Sequence, residues 1–165
     1  MYKKILVPLD GSGLAETVLP HAAALARAMG AEVTLVSVVH FLLGASGAKL
    51  DAVPEAAAER KAALKAEAMI YLGKIQRDLK GQGVAARCVA LEGDVASEII
   101  AHAEQEESDL IAMGTHGRSG IDRFVMGSIA EKVVRGTRKP VLLIRALPAT
   151  PRPVDWRELS VPPLL

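Results

Sequence analysis

Leu110-Ile-Ala-Met113 is a short apolar run bounded by Asp109 and Gly114, and Ile129-Ala-Glu-Lys-Val-Val134 repeats its apolar residues at helical spacing. Between them lie Gly114, Gly117, Gly120 and Gly127, followed at once by Ser128. The pattern predicts a buried strand, a glycine-rich loop and the start of a helix. Glycines in such a loop let backbone N–H groups approach a ligand with no Cβ in the way. A helix beginning near Gly127 adds unpaired N–H groups and the positive end of its dipole, which together favour an anion such as phosphate. The run lacks the lysine of the Gly-x4-Gly-Lys-Ser/Thr pattern and is therefore not a Walker-type loop. Gly11-Ser-Gly13 opens like a dinucleotide fingerprint, but Glu16 stands where the third glycine belongs.

Around this motif, strand and helix patterns alternate. Lys4 to Leu9 is a continuous apolar strand, and Ser12 is placed to cap a helix running to about Met29, stopped by Gly30. Glu32 to Val39 predicts a second strand, residues 40 to 54 a loop, and Pro54 to Lys80 a long helix with Leu64, Ala68, Leu72, Ile75 and Leu79 on one side. Val84 to Leu91 is the third strand, Asp94 caps a helix bearing Val95, Ile99 and Ile100, and Val141 to Arg145 is the last strand. Strands apolar on both faces, each followed by a helix, predict an α/β fold: one open parallel sheet with helices on both sides. Residues 1–146 form that domain. Residues 147–165, with Pro148, Pro151, Pro153, Pro162 and Pro163 beside Val154, Trp156, Leu159 and Leu164, form a proline-rich C-terminal extension expected to pack as an extended strap.

Composition narrows the function classes. Half of the 165 residues are hydrophobic, and the formal charge of +1 gives no global field toward nucleic acid or anionic membrane. Aromatics at 3% are too few for a base-stacking platform. No apolar run reaches the roughly 18 residues of a membrane span. A strand within the first residues leaves no room for a signal peptide, and the single cysteine, Cys88, suits a reducing compartment. A cytoplasmic location is the expectation. Cys88 lies in an apolar stretch and reads as an inert buried thiol. Basic residues do gather after the glycine loop, at Arg118, Arg123, Lys132, Arg135, Arg138, Lys139 and Arg145. For Lys132, Arg135 and Arg138 a solvated helix face is the expected role.

The spacing Gly114-x2-Gly117-x9-Gly127-Ser128, the opening Lys3-Lys-Ile-Leu-Val-Pro-Leu-Asp10-Gly-Ser12, Val36-Ser-Val38 and the closing Lys139-Pro140-Val-Leu-Leu-Ile144 together resemble the universal stress protein family, in its ATP-binding branch. The resemblance implies a five-stranded sheet in the order 3-2-1-4-5, a Rossmann-like fold of the adenine-nucleotide α-hydrolase type. In that order strands one and four are neighbours, and a crevice opens at their carboxyl ends. It implies that Pro8, Leu9, Asp10 and Val38 meet the nucleoside, with Met113 and Gly114 contributing backbone. Gly117, Arg118, Gly127, Ser128 and Ile129 would meet the phosphates, with His116 placed either there or in solvent. The implied ligand is ATP, with Mg or Mn as the candidate counter-ion. Asp10 would reach ribose hydroxyls or help hold a hydrated ion. No general base or nucleophile is recognisable, which favours a sensor or switch in stress response with at most slow hydrolysis. The competing reading is a nucleotide-independent dimeric adaptor or holdase of the same fold. A homodimer through the edge strand Val141–Ile144 is expected, since that strand is apolar on both faces and many family members pair through it.

Overall fold

The computed structural model describes residues 1–40, 54–115 and 126–145. Five strands, β1 (Lys4–Pro8), β2 (Glu32–Val39), β3 (Ala86–Glu92), β4 (Leu110–Gly114) and β5 (Val141–Ile144), form one sheet in the order β3-β2-β1-β4-β5. Every pairing is parallel. The helices are α1 (Gly13–Glu16), α2 (Leu19–Met29), α3 (Pro54–Gly81), α4 (Val95–Gln105) and α5 (Ser128–Gly136).

The side-chain alternation of the strands sorts the core into two layers. Ile5, Val7, Val33, Leu35, Leu110 and Ala112 point to one face, where α1, α2 and α3 bring Ala15, Val18, Ala22, Ala26, Leu72, Ile75 and Leu79. Leu6, Val36, Ile111 and Met113 point to the other, against Ala96, Ile99 and Ala103 of α4 and Ala130 and Val133 of α5. Each fully buried Leu, Ile or Val contributes about 1.5–3 kcal/mol relative to an exposed one. The α/β class and the strand order agree with expectation.

Three local differences have physical causes. The single helix expected from Ser12 to Met29 is two helices, because Pro20 has no N–H to donate to the Glu16 carbonyl. Thr17 and Val18 instead bond three residues back, to Leu14 and Ala15, and Pro20 takes a first-turn position in α2. Strand β3 starts at Ala86, since Val84 is buried against α3 and its N–H is spent on the Leu79 carbonyl. From residue 57 on, the long helix α3 has no buried residue before Leu72; its earlier turns are tied to the sheet by Lys61 and Lys65, which both reach Glu92 at 2.6 and 3.1 Å. Gly30 ends α2 in the left-handed region at φ 62°, as a glycine there permits. The loop predicted at 40–54 lies almost wholly outside the described residues, and the tail 147–165 does so entirely.

Among the described residues no helix is long and apolar enough to cross a membrane. Cys88 is half-buried, and burial raises its thiol pKa. Lys132, Arg135 and Arg138 are exposed, and Arg135 pairs with Glu131 on the solvent side of α5.

Candidate functional site

At the carboxyl ends of β1 and β4, where the chain leaves the sheet toward opposite faces, a cavity of about 240 Å³ opens. One water occupies roughly 30 Å³ of liquid, so this space suits a ligand rather than a packing void. Pro8, Leu9, Asp10 and Ala15 come from the β1 side, Val36 and Val38 from β2, Met113, Gly114 and Thr115 from β4, and Gly127 to Ala130 from the start of α5. Val95 and Ile99 of α4 complete it. The site residues Pro8, Leu9, Asp10, Val38, Met113, Gly114, Gly127, Ser128 and Ile129 thus meet around one cavity. Gly117 and Arg118, like His116, lie outside the described residues.

Two kinds of wall face each other. The α4 side is apolar, and Val36, Ile99 and Ala130 on it are nearly inaccessible to solvent. The rim holds Asp10, Thr115 and Ser128, with the first turn of α5. That helix starts without a capping side chain, because Gly127 is its N-cap. The contrast within the chain is direct: Ser12 Oγ caps α1 through the Ala15 N–H, and Asp94 caps α4 through the Ser97 N–H. The start of a nine-residue helix whose N-cap residue supplies no side-chain hydrogen bond suits an anion. Gly127 has φ −58° and ψ 146°, a conformation open to any residue, so backbone freedom is not what a glycine supplies there.

The glycine segment is closed at its base. The Gly127 N–H donates to the Thr115 carbonyl at 2.7 Å, and the Thr115 N–H donates to the Ile144 carbonyl at 2.9 Å, so β5, the end of β4 and the start of α5 share one pivot. On the other rim, Asp10 Oδ1 accepts from both the Ser12 N–H (2.9 Å) and the Ser12 hydroxyl (2.6 Å). Gly11 makes this turn possible at φ 81°. Asp10 is the one acidic residue among the described residues of the cavity wall, which include no histidine or cysteine. No group of three His, Cys, Asp or Glu among the described residues is placed to hold a metal ion.

Thr115, Ala15, Val36, Val95, Ile99 and Ala130 line the cavity without having been singled out from sequence. Val36 stands two residues from Val38 on the same face of β2, and Thr115 follows Gly114 directly, so both were within reach of strand periodicity. Val95 and Ile99 carry no such signal, because as residues of an amphipathic helix they read as ordinary core.

Comparison with known proteins fits this geometry. The universal stress protein family pattern matches residues 1–145. The universal stress protein MJ0531 of Methanocaldococcus jannaschii is 35% identical over 145 residues, covering 88% of this chain and 83% of the relative. MJ0577 of the same organism is 33% identical over 156 residues, covering 88% of this chain and 96% of the relative. The solved structure of MJ0577 superposes with a TM-score of 0.79, over 90% of this chain and 99% of that one, at 32% identity. A universal stress protein of Archaeoglobus fulgidus, solved in complex with dAMP, shares the fold at a TM-score of 0.57 and 23% identity, covering 86% of this chain and 97% of that one. The single parallel sheet in the order 3-2-1-4-5 with a core layer on each face, the crevice between β1 and β4, and similarity that runs from the first residue to the last strand place this chain in the universal stress protein family.

Proposed function

We propose that the protein binds ATP in this cavity and acts as a nucleotide-dependent sensor or switch in a stress response. The observation that carries the reading is the meeting, in one cavity, of an apolar slot with the uncapped start of α5. The slot suits the two faces of a purine, with Pro8, Leu9, Val38 and Met113 around it. The amides of Ser128 and Ile129 and the Ser128 hydroxyl suit phosphate oxygens, beside Gly127, and the family resemblance assigns Gly117 and Arg118 to the same role. Asp10, also on the wall of the cavity, is the residue that would meet ribose hydroxyls or a hydrated cation.

A divalent metal, Mg or Mn, fits such a site in one specific manner. The donor set has a single carboxylate, Asp10, and so provides no all-protein cage. Mg²⁺ characteristically keeps several waters and is held by one or two carboxylates plus substrate phosphates. Asp10 is the residue that would hold it, and the ion would supply charge neutralisation at the phosphates. With no histidine, lysine or cysteine among the described cavity residues, proton transfer at the phosphates has little support, and hydrolysis is at most slow. Binding without transition-state preference makes a switch and not an efficient enzyme.

The same reading places the protein in the cytoplasm as a homodimer, with residues 1–146 as the domain and 147–165 as an extension. Val141–Ile144 is an edge strand of the sheet whose residues are all only partly buried, which suits pairing with a second copy.

Calorimetry of ATP with and without magnesium tests the ligand, and mass spectrometry of small molecules released from freshly purified, heat-denatured protein tests it independently. Adenine nucleotide is expected in both. No binding up to millimolar ATP overturns the proposal and leaves the adaptor or holdase reading.

A further inference from the structure

The segment from Asp10 to Glu16 bears two cavity residues, Asp10 and Ala15, yet has little internal support. Its helical part, α1, is four residues long, and a single turn is not stable on its own. Pro20 also cuts it off from α2. Its conformation therefore depends on side-chain hydrogen bonds of two kinds.

One kind is internal to the segment: the Ala15 N–H donates to Ser12 Oγ (3.1 Å), and the Ser12 hydroxyl (2.6 Å) and N–H (2.9 Å) both donate to Asp10 Oδ1. The other comes from Tyr71 on α3, a helix that contributes nothing to the described cavity wall. The Tyr71 hydroxyl donates to Glu16 Oε1 at 2.9 Å, at the far end of α1. Burial, Glu16 and Asp10 together push the phenol pKa far above its ordinary value of 10, with Gly11 acting the other way, so Tyr71 remains a neutral donor throughout the physiological range. Its base is firm: the next residue, Leu72, is wholly buried, and Ile75 a turn on is 8% exposed.

We propose that Tyr71 is a positioning residue for the nucleotide site, holding the segment Asp10–Glu16 through Glu16 in the conformation that presents Asp10 and Ala15 to the cavity. The role as such needs no particular ligand, but its effect on ATP rests on the function proposed above. Glu16 is the partner through which Tyr71 acts, and it touches no part of the cavity itself.

The test uses the full chain as wild type, Tyr71→Phe, Glu16→Ala and Glu16→Gln, and measures two things. Amide hydrogen exchange without ligand reads the segment directly at the Ser12 and Ala15 N–H groups, with Ile5, Leu6 and Val7 as internal controls. Calorimetry reads ATP affinity of the folded protein well below its thermal transition. Loss of one hydrogen bond to a carboxylate is expected to speed exchange at Ser12 and Ala15, and to weaken ATP, by on the order of tenfold in Tyr71→Phe and Glu16→Ala. Exchange in β1 should not move. Glu16→Gln keeps an acceptor oxygen and should restore both readouts to within about threefold. A merely structural Tyr71 would lower global stability while leaving the affinity of the folded protein intact, and that result overturns the proposal. Unchanged exchange at Ser12 and Ala15 overturns it as well. Wild type that fails to bind ATP defeats the nucleotide reading instead, and the exchange rates then still decide whether Tyr71 holds the segment.

Discussion

His102 lies near the end of α4 with 8% of its surface exposed, and its Nε2 has no hydrogen-bond partner among the described residues. Leaving a buried polar atom unsatisfied costs about 1–3 kcal/mol. His102→Leu removes that atom from a position that is 8% exposed, so it should stabilise the protein by roughly 1 kcal/mol at pH 7. The urea midpoint should then rise by about 0.5 M for an m-value of roughly 2 kcal/mol/M, and the melting temperature by roughly 2–4 °C. The pH dependence follows from the same burial, which lowers the imidazole pKa below 6.5; Glu106 and Glu98 oppose the shift and Arg87 adds to it. Because the unfolded chain takes up this proton first, the contribution of neutral His102 is intact above pH 6.5 and is lost as the pH falls toward the lower folded value. Glu92 and Glu106, held below 4.5 by Lys61 with Lys65 and by Arg87 respectively, keep their contributions until the pH drops under that value. Asp94 and Asp109, held below 3.8 by hydrogen bonds from Ser97 and from the Lys3 and Lys4 amides, do so to lower pH still. Urea melts of wild type and His102→Leu between pH 6.5 and 4.5 therefore isolate the histidine, and the wild type should lose stability more steeply. An unchanged midpoint at pH 7 together with parallel pH profiles would refute the reasoning.

Other expectations are more local. Glu107 is exposed and adopts φ 52°, so Glu107→Gly should raise stability by about 1 kcal/mol in a urea melt. Leu72→Ala, at a wholly buried position of α3, should cost about 2–5 kcal/mol by the same measurement. Gly127→Ala and Gly127→Val should both fold with near-native melting temperatures, since the backbone there is unstrained, while calorimetry shows ATP affinity falling at least about tenfold for valine and much less for alanine. Light scattering after size exclusion should find a dimer for the full chain and for a truncation ending at Ala146. A full-length monomer at micromolar concentration removes edge pairing, and a dimer lost only on truncation assigns the contact to the tail.

Much of this architecture is legible in the sequence because parallel strands buried on both faces read as unbroken apolar runs. Lys4–Leu9, Glu32–Val39 and Val141–Arg145 needed nothing more. The glycine motif also announced its own setting, since Leu110–Met113 before it and Ile129–Val134 after it have different periods. Pro20 was equally visible, but a good cap at Ser12 and a good stop at Gly30 suggested one helix, and the missing N–H broke it. Of the cavity, the β1 and β4 sides were readable and the α4 side was not: Val95 and Ile99 are chemically indistinguishable from residues that only fill a core. Tyr71 and Glu16 escape sequence reading for another reason. They stand 55 positions apart, and only the docking of α3 on the sheet brings them together.

The seam between β1 and β4 is short, pairing Ile5 with Leu110 and Leu6 with Ile111, whereas β1 and β2 pair along Lys4–Pro8. The first half of the crevice therefore exists as soon as β1 and β2 associate, but its second half arrives only with β4 and the start of α5. At a typical synthesis rate of about 5–20 residues per second, the delay between Asp10 and Ser128 leaving the ribosome is roughly 6–24 s. Throughout that interval a nascent chain displays Asp10 with nothing opposite it. A ligand spanning the seam would be retained only once β1 and the start of α5 face each other, so occupancy of the crevice would report that the two halves of the sheet have joined.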